Sequence, residues 1–564
     1  MLAASKLKII QDLIASSTNE ELIWINGYLS GVLSGSSEPA AQPSTGKPAV
    51  NKITIAYGTE TGNSKKLATH FAATAKKSGI NAKLVSLDQY RLNDLAKEEY
   101  FFTIISTHGD GEPPAAAKKF YDHIHQNGFK VNQLKYGVLA LGDTSYPLFC
   151  KAGEDVDEQL LKMGGERLVL LHKCDIDYES DAGNWFSQIL SKLSGNGASA
   201  VPVATPVTTK KSGKKVYTGS ILKNINLNDR GSRKQTHHIE IAVEDIEYAP
   251  GDSIGIVPKN PSHVVEAIIA LTGIDQGKEL TFRKESVSIL NLLQSKLNIV
   301  YMPERVVKQY AAIVQQDIPE TKISLLDVLK IYPVKNSSQF EEVIGILEPI
   351  TPRLYSIASS KESHGEEVHL TVARDFFHVN SETKIGLASD FLSQLPENAD
   401  LEFYVHKNDQ FRLPAADKDV VMIGPGTGVA PFRSFLAERD STGAGGRNWL
   451  FFGDQHFTSD FLYQSEMQNW LETGVLTKLT VAFSRDQLEK VYVQHKMLLQ
   501  ATELYQWLEN GAYVYICGAK EPMSVDVENT LLLIIRQCGN KSLPEADEYL
   551  NQLKEEGRYL KDVY

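Results

Sequence analysis

Pro352-Arg353-Leu354-Tyr355-Ser356-Ile357-Ala358-Ser359-Ser360 lies between two candidate phosphate loops, Thr59–Ser64 far upstream and Gly424–Gly428 downstream. An arginine, an aromatic ring and a hydroxyl alternate along it as they would along a strand. A guanidinium offers a diphosphate two parallel charged hydrogen bonds from a planar fork. The ring of Tyr355, two residues on, can lie against a flat heterocycle, and the Ser356 hydroxyl can bond that heterocycle's polar edge. Alone, the stretch reads as a surface strand with a solvated arginine. The two flanking loops make it the floor of a central site for a flat redox cofactor, with another such site on either side.

A chain of 564 residues is too long for one core and divides into roughly three to four domains. Its hydrophobic (42%) and charged (23%) fractions are those of an ordinary globular protein, which sets aside disorder, collagen and coiled coil. A net charge of -12 argues against general nucleic-acid binding and is compatible with docking a basic protein partner. Cys150, Cys174, Cys517 and Cys538 are scattered without a CxxC pair. That excludes a disulfide scaffold and a cysteine-rich zinc or iron–sulfur site, and it points to a reducing, cytoplasmic setting. Leu7–Ile14 and Leu22–Leu33 are apolar at helical spacing but broken by Gln11, Asp12, Glu20, Glu21 and Asn26. Residues 1–33 are therefore expected to be a small amphipathic helical pair, rather than a signal peptide or a membrane span. Residues 34–50, rich in Ser, Pro, Ala and Gly, read as its tether.

From Lys52 strand and helix alternate, and 51–193 reads as a doubly wound parallel sheet. The predicted strands are 53–57, 82–85, 100–106, 135–141 and 166–170. Ligands bind such sheets beyond the strand C-terminal ends. The first loop there, Thr59-Glu60-Thr61-Gly62-Asn63-Ser64, brings hydroxyls and backbone N–H groups to a helix start, which suits a phosphate. It lacks the Gly-Lys-Ser/Thr ending of a nucleoside-triphosphate loop. The second carries Ser106, Thr107, His108 and Gly109. The third is Leu141-Gly142-Asp143-Thr144-Ser145-Tyr146-Pro147-Leu148-Phe149-Cys150. Together they can bracket a planar ring. Each is also plain turn chemistry, but three at successive strand ends exceed what turns require.

Residues 194–215 read as a flexible linker. Short alternating strands then predict an antiparallel barrel over 216–260 and 348–414, interrupted by a helical insertion at 261–347. The strand Glu367–Ala373 carries Thr371, Val372 and Ala373, candidates for the same site, and Gly386-Leu387-Ala388-Ser389 opens a helix at Ser389 as a second diphosphate seat. From 415 to 564 the α/β alternation returns, with Val420–Ile423 as a strand and Gly426, Thr427 and Gly428 in its turn. The carboxylate that would hold a free ribose is missing from its usual place. Two further strand ends, Ala482–Arg485 and Lys490-Val491-Tyr492-Val493-Gln494, bring Ser484, Arg485, Lys490 and the Tyr492 hydroxyl. Cations there favour NADP over NAD, because the extra phosphate needs neutralising. Asp526 is placed in the same site, and Cys517 ends another strand.

Thr-x-Thr-Gly-Asn (59–63), Ser-Thr-x-Gly (106–109) and Leu-Gly-Asp-x-x-Tyr-x-x-Phe-Cys (141–150) resemble the FMN-binding loops of diflavin reductases. With Arg-Leu-Tyr-Ser, Gly-Pro-Gly-Thr-Gly-x-Ala-Pro-Phe, Ser-Arg-x-x-x-x-Lys-x-Tyr-x-Gln and Tyr-x-Cys-Gly, the likeness runs from about residue 52 to the C-terminus. It implies a flavodoxin-like FMN domain, an FAD-binding β-barrel around Arg353, Leu354, Tyr355 and Ser356, and a ferredoxin-reductase-like NADPH-binding domain. It also implies a route in which NADPH gives a hydride to FAD and electrons pass singly through FMN to a haem protein. A nicotinamide delivers two electrons together, a haem takes one, and a flavin can do either. The implied acceptor is a sirohaem, iron–sulfur sulfite reductase subunit, and the N-terminal segment would join copies into an oligomer. Ser356, Cys517 and Asp562 would surround the hydride path, and Tyr355 and Tyr564 would flank the FAD ring. One departure is Cys517-Gly518-Ala519, where relatives commonly have Cys-Gly-Asp; it bears on how the nicotinamide ribose is held. Two alternatives stay open: a soluble reductase for another haem acceptor, and an assembly subunit with vestigial flavin sites.

Overall fold

The computed structural model describes residues 50, 52–59, 62–108, 111–126, 130–143, 148–175, 178–193, 215–283, 285–319, 321, 323–379 and 382–564. The expected N-terminal helices, the tether through residue 49 and the linker over 194–214 lie outside them.

In the first unit β1 (Lys52–Gly58), β2 (Asn81–Ser86), β3 (Tyr100–Ser106), β4 (Lys135–Leu141), β5 (Glu166–Arg167) and β6 (His172–Cys174) pair in parallel. The order is β2-β1-β3-β4-β5, with β6 also on β4. Helices Asn63–Lys77 and Glu179–Leu193 cover one face, around Ile55, Phe71 and Trp185. Helices Ala115–His125 and Lys151–Lys162 cover the other, around Phe101, Phe120 and Tyr136. Burial on both faces is why β3 and β4 are nearly unbroken apolar runs. The strand expected over 166–170 stops at Arg167, and Leu170 turns out to solvent before β6 begins. Arg167 grips the buried Asp157 carboxylate at 2.9 and 2.5 Å, tying this edge to helix Lys151–Lys162.

The middle unit is an antiparallel barrel of β7 (Val216–Asn226), β8 (Thr236–Ala242), β9 (Ser253–Ile256), β12 (Arg353–Ser356), β13 (Glu367–Ala373) and β16 (Asp400–His406). Its order is β12-β9-β16-β7-β8-β13, and a bridge between Ile357 and Leu370 closes the ring. Ile239, Ile241, Ile254, Leu370 and Phe403 fill it. Two hairpins, β10 (Glu279–Phe282) with β11 (Glu285–Ser288) and β14 (Phe376–Val379) with β15 (Glu382–Ile385), are additional to the expected strands. Between β9 and β12, four helices of seven to eleven residues pack a separate apolar core around Leu293, Tyr310 and Phe340. Ser324 and Asn336 cap two of them by accepting the Asp327 and Gln339 N–H groups at 3.1 and 2.9 Å.

The third unit is a parallel sheet of β17 (Val420–Ile423), β18 (Asn448–Asp454), β19 (Lys478–Phe483), β20 (Tyr513–Gly518) and β21 (Tyr559–Val563). Its order is β19-β18-β17-β20-β21. Successive connections reverse direction between β17 and β20 here, and between β1 and β3 in the first sheet. The crevices beyond these strand ends are where open α/β sheets bind ligands. Among the described residues no helix is long and apolar enough to cross a membrane.

Edge strand β21 is fastened from below by Glu528, which accepts Tyr559 Oη at 2.8 Å and Lys554 Nζ at 3.1 Å and pairs with Lys561. Burial works to raise this carboxyl, but Lys561, Lys554 and Tyr559 together hold it down at about 2 against an ordinary 4.5. A depressed carboxyl stabilises the fold fully above its unfolded value and loses that contribution as pH falls through its folded value. The wild type should therefore lose about 3 kcal/mol from this site between pH 4.5 and 2. Urea unfolding of Glu528→Gln should show lower stability at pH 7 and a flatter profile across that window. An unchanged profile would mean the cluster contributes nothing.

Candidate active site

The first loop cluster lies beyond the C-terminal ends of β1, β3 and β4. Thr59 Oγ1 accepts the Gly62 N–H at 2.8 Å, and Gly62 takes φ 89° immediately before helix Asn63–Lys77, whose N-terminus lies beyond the end of β1. Ser64 and Ser106, from the two strand ends at the switch point, each bury a hydroxyl that has no partner among the described residues. Unpartnered hydroxyls at a helix N-terminus suit a phosphate. Thr107 Oγ1 accepts the Ala152 N–H at 3.2 Å, and His108 bridges Glu112. Leu141 is buried, Gly142 donates to Cys174 O at 3.0 Å, and Asp143 is half-buried. Leu148 and Phe149 stand half-buried at the far side of the loop. Cys150 is buried in the left-handed region (φ 59°), and its thiol donates to Ala140 O at 3.2 Å. Glu60, Thr61, Gly109, Thr144, Ser145, Tyr146 and Pro147 lie outside the described residues.

The second cluster forms where the barrel meets the C-terminal sheet. Ser356 closes β12, and Asp562 on β21 stands opposite Cys517 on β20 in parallel register. Ser356 Oγ donates to Asp562 Oδ2 at 2.8 Å, and Cys517 Sγ lies 3.9 Å from the same oxygen. Burial raises the Asp562 carboxyl, outweighing the Ser356 bond, the charge of His406 and the Cys517 thiol, all of which pull it down. Complete burial, reinforced by Asp562, pushes the Cys517 thiol well above 9, so it stays protonated. Two residues beyond Asp562, Tyr564 donates its N–H to Gly518 O at 3.1 Å, and its hydroxyl meets Thr427 Oγ1 at 2.7 Å. The C-terminal ring is thus moored to the glycine loop. Gly428 must be glycine: a Cβ there would sit 2.1 Å from Cys517 O.

On the barrel side, Arg353 is exposed and forms no ion pair among the described residues, Leu354 is exposed, and Tyr355 is half-buried. A free guanidinium beside a half-buried ring fits a diphosphate and a flat heterocycle. Val372 is core, Ala373 is half-buried, and the buried Thr371 hydroxyl turns away to Tyr463 Oη at 2.6 Å. The helix expected from Ser389 starts earlier, at Leu387, with Gly386 as its cap and Ala388 buried. Ser389 is therefore inside the first turn, accepting Asp375 N–H at 3.1 Å and donating to Gly386 O at 3.0 Å.

At the dinucleotide end, Ser484 is buried just past β19, while Arg485 and Lys490 form no ion pair among the described residues. Lys490–Gln494 is not the strand end expected. Lys490 and Val491 are loop, Tyr492 is exposed, and Val493, packed against Gly453, begins the helix Val493–Leu499. Gln494 Nε2 donates to Asp526 Oδ2 at 3.2 Å, joining two expected site residues. Sequence reasoning missed Lys234 and Asp454. Lys234 Nζ meets both Asp454 oxygens at 2.6 and 2.7 Å beside Gly426. Asp454 ends β18, so its place at a parallel strand's C-terminal edge was the available signal.

The flavodoxin family model matches residues 55–185, the FAD binding domain model 209–321 and 307–391, and the oxidoreductase NAD-binding domain model 422–529. These three domains in one chain define an NADPH-dependent diflavin reductase whose cofactors are FMN, FAD and NADPH. A sulfite reductase [NADPH] flavoprotein alpha-component of Bacillus subtilis (strain 168) is 38% identical, covering 99% of this chain and 98% of its own. One from Vibrio cholerae serotype O1 is 38% identical over 99% of this chain and 96% of its own. The chain belongs to the family of these sulfite reductase flavoprotein alpha-components.

We propose that Arg485, just past the end of β19, reads the extra ribose phosphate. Arg485→Ala removes a charge-assisted bond of about 1.5–3 kcal/mol. Titration should show NADPH binding weakened by roughly tenfold to a hundredfold, with NADH little changed. Equal losses for both would show that Arg485 does not read the phosphate.

Proposed function

We propose that this protein carries electrons from NADPH through FAD and FMN to a haem-protein partner, the sirohaem sulfite reductase subunit that reduces sulfite to sulfide. The observation that carries the reading is the Ser356–Asp562 bond, which joins an FAD-type barrel to an NADP-type sheet in a chain with full-length likeness to sulfite reductase flavoproteins. A bound flavin accepts a hydride and releases its electrons one at a time. The chain's residues do the rest. Arg353 and the N-terminus of the helix from Leu387 hold the FAD diphosphate, and Tyr355 supports the ring. Ser484, Arg485, Lys490 and Tyr492 hold the NADPH phosphate, and the glycine loop admits the dinucleotide backbone. Ser356 Oγ and Asp562 hold a proton at the edge of the hydride path, and Cys517 excludes water behind them. Ser64, Ser106 and the first helix hold the FMN phosphate. Residues 1–33 serve as an assembly segment joining copies of the chain, and 194–215 lets the flavodoxin unit reach both flavin and partner.

The decisive experiment mixes the flavin-loaded protein with the sulfite reductase haemoprotein of the same organism. NADPH oxidation should become sulfite-dependent, with sulfide formed in proportion. Sulfite-independent oxidation alone, with the haemoprotein left oxidised, would count against this partner.

Tyr564 should act as a lid, because its hydroxyl is tied to Thr427 in the loop that the dinucleotide must use. Displacing the ring takes binding energy that the phosphate end of NADPH supplies and NADH lacks. Deleting Tyr564 should narrow the NADPH/NADH preference, mainly by lowering KM for NADH. Preference and turnover both unaltered would refute the lid.

A further inference from the structure

Helix Ala430–Ser441 starts where the glycine loop ends, and three of its residues reach across to the segment that follows the flavin strand. Arg433 Nη1 donates to Ala358 O at 2.8 Å and to His369 Nδ1 at 3.0 Å. Its Nε and Nη2 grip Glu466 at 2.6 and 2.9 Å, and its guanidinium lies 5.0 Å from the centre of the Tyr463 ring. Ser434 Oγ donates to Ser359 O, and Ser360 Oγ donates to Glu438, both at 2.5 Å. Three consecutive residues, Ala358, Ser359 and Ser360, are thus fastened to the helix that carries the dinucleotide loop.

Arg433 sets the direction of the hydrogen bonds next to it. Because Arg433 donates to Nδ1 of His369, that ring carries its proton on Nε2 and gives it to Glu367 at 2.9 Å. His238 gives its Nε2 proton to Glu240 at 3.2 Å, leaving Nδ1 to accept Tyr463 Oη at 3.0 Å. Tyr463 Oη in turn accepts from Thr371 Oγ1 at 2.6 Å. His364 packs edge-on to His369 with centroids 4.5 Å apart. Burial, with Arg433 adding to it, lowers His238 to about 3 and His369 to about 2, so both are neutral. The triad of His238, Glu240 and His369 has the spacing of a metal site, but His369 has no nitrogen free for a cation and Arg433 stands against it.

Resting on the function proposed above, we infer that Arg433 is a positioning residue for hydride transfer: it fixes the strand Arg353–Ser356 against the loop Gly424–Gly428, and so the flavin against the nicotinamide. Neither ligand needs to touch it. Reacting atoms misplaced by even an ångström lose about 10²-fold in rate, whereas NADPH is gripped mainly at its far end, by Arg485 and its neighbours.

The test compares Arg433→Met and Arg433→Lys with the wild type in the full flavin-loaded protein. FAD content and the Kd of NADP+ should stay within about threefold. The rate of FAD reduction by NADPH in stopped flow should fall by about 10–10²-fold in the Met variant, and less in the Lys variant. The long-wavelength charge-transfer absorbance of nicotinamide on flavin should weaken in parallel. Without nucleotide, hydrogen exchange should quicken over 353–360 and stay unchanged in the flavodoxin sheet. If Arg433→Met does not fold, Arg433→Lys, which keeps the charge and loses the fork, carries the test. A folded, FAD-loaded variant with wild-type reduction rate and charge-transfer band would overturn the inference. So would NADP+ affinity falling as far as the rate. Failure of NADPH to reduce FAD in the wild type would instead refute the proposed function.

Discussion

The hydrogen bond from Ser356 to Asp562 joins the last residue of barrel strand β12 to the edge strand of a separate parallel sheet. Such a bond holds its length only if two layers with separate apolar cores are held to within a fraction of an ångström. The structure meets that demand with a buried, polar seam. Two hydrogen-bonded chains, Glu466–Arg433–His369 and His238–Tyr463–Thr371, meet through the His238–His369 ring contact and the Arg433 guanidinium over Tyr463, and a partly satisfied set there would destabilise the interface. Breaking one partner leaves a buried charge unpaired, which typically costs about 3–5 kcal/mol. The seam is therefore rigid by necessity, and the chemistry beside it inherits that rigidity.

The first sheet follows the same topological rule as the third, and its ligand loops face the barrel. A Cβ on Gly62 would lie 3.3 Å from Gln410 Oε1, and Asp143 adds to burial in raising the Tyr404 hydroxyl's pKa. The loop after β16 thus lies between the flavodoxin crevice and the barrel. His406 at the end of β16 sits in register with Ser253, which is itself opposite Ser356. One row of barrel residues, His406, Ser253 and Ser356, thus leads from the end of β16 to Asp562.

What was legible in the sequence is what local chemistry dictates. Thr59–Ser64 and Gly424–Gly428 announce themselves because a strand-to-helix turn at a phosphate needs glycine and hydroxyls within a few residues. Arg353-x-Tyr355-Ser356 reads correctly as a strand because its pattern is periodic. Cys517 could be placed by its strand, but its partner Asp562 came only by resemblance, since their pairing is a parallel register between segments 45 residues apart. Arg433 and His369, 64 residues apart, and Lys234 and Asp454, 220 apart, were invisible because nothing local marks a buried ion's partner. Lys490–Gln494 was misread for a related reason. Val491 and Val493 have strand-like alternation, but Val493 is needed against Gly453, and a helix from there buries Met497 in the same core.

Electrons should enter at the seam of barrel and C-terminal sheet and leave only through the flavodoxin unit. The most direct measurement strips FMN from the protein, leaves FAD in place, and follows NADPH oxidation anaerobically with the haemoprotein present. The prediction is that NADPH still reduces FAD at close to the normal rate while the haemoprotein stays oxidised, and that adding FMN restores its reduction. Rapid haemoprotein reduction without FMN, or loss of FAD reduction along with it, would contradict that order of transfer.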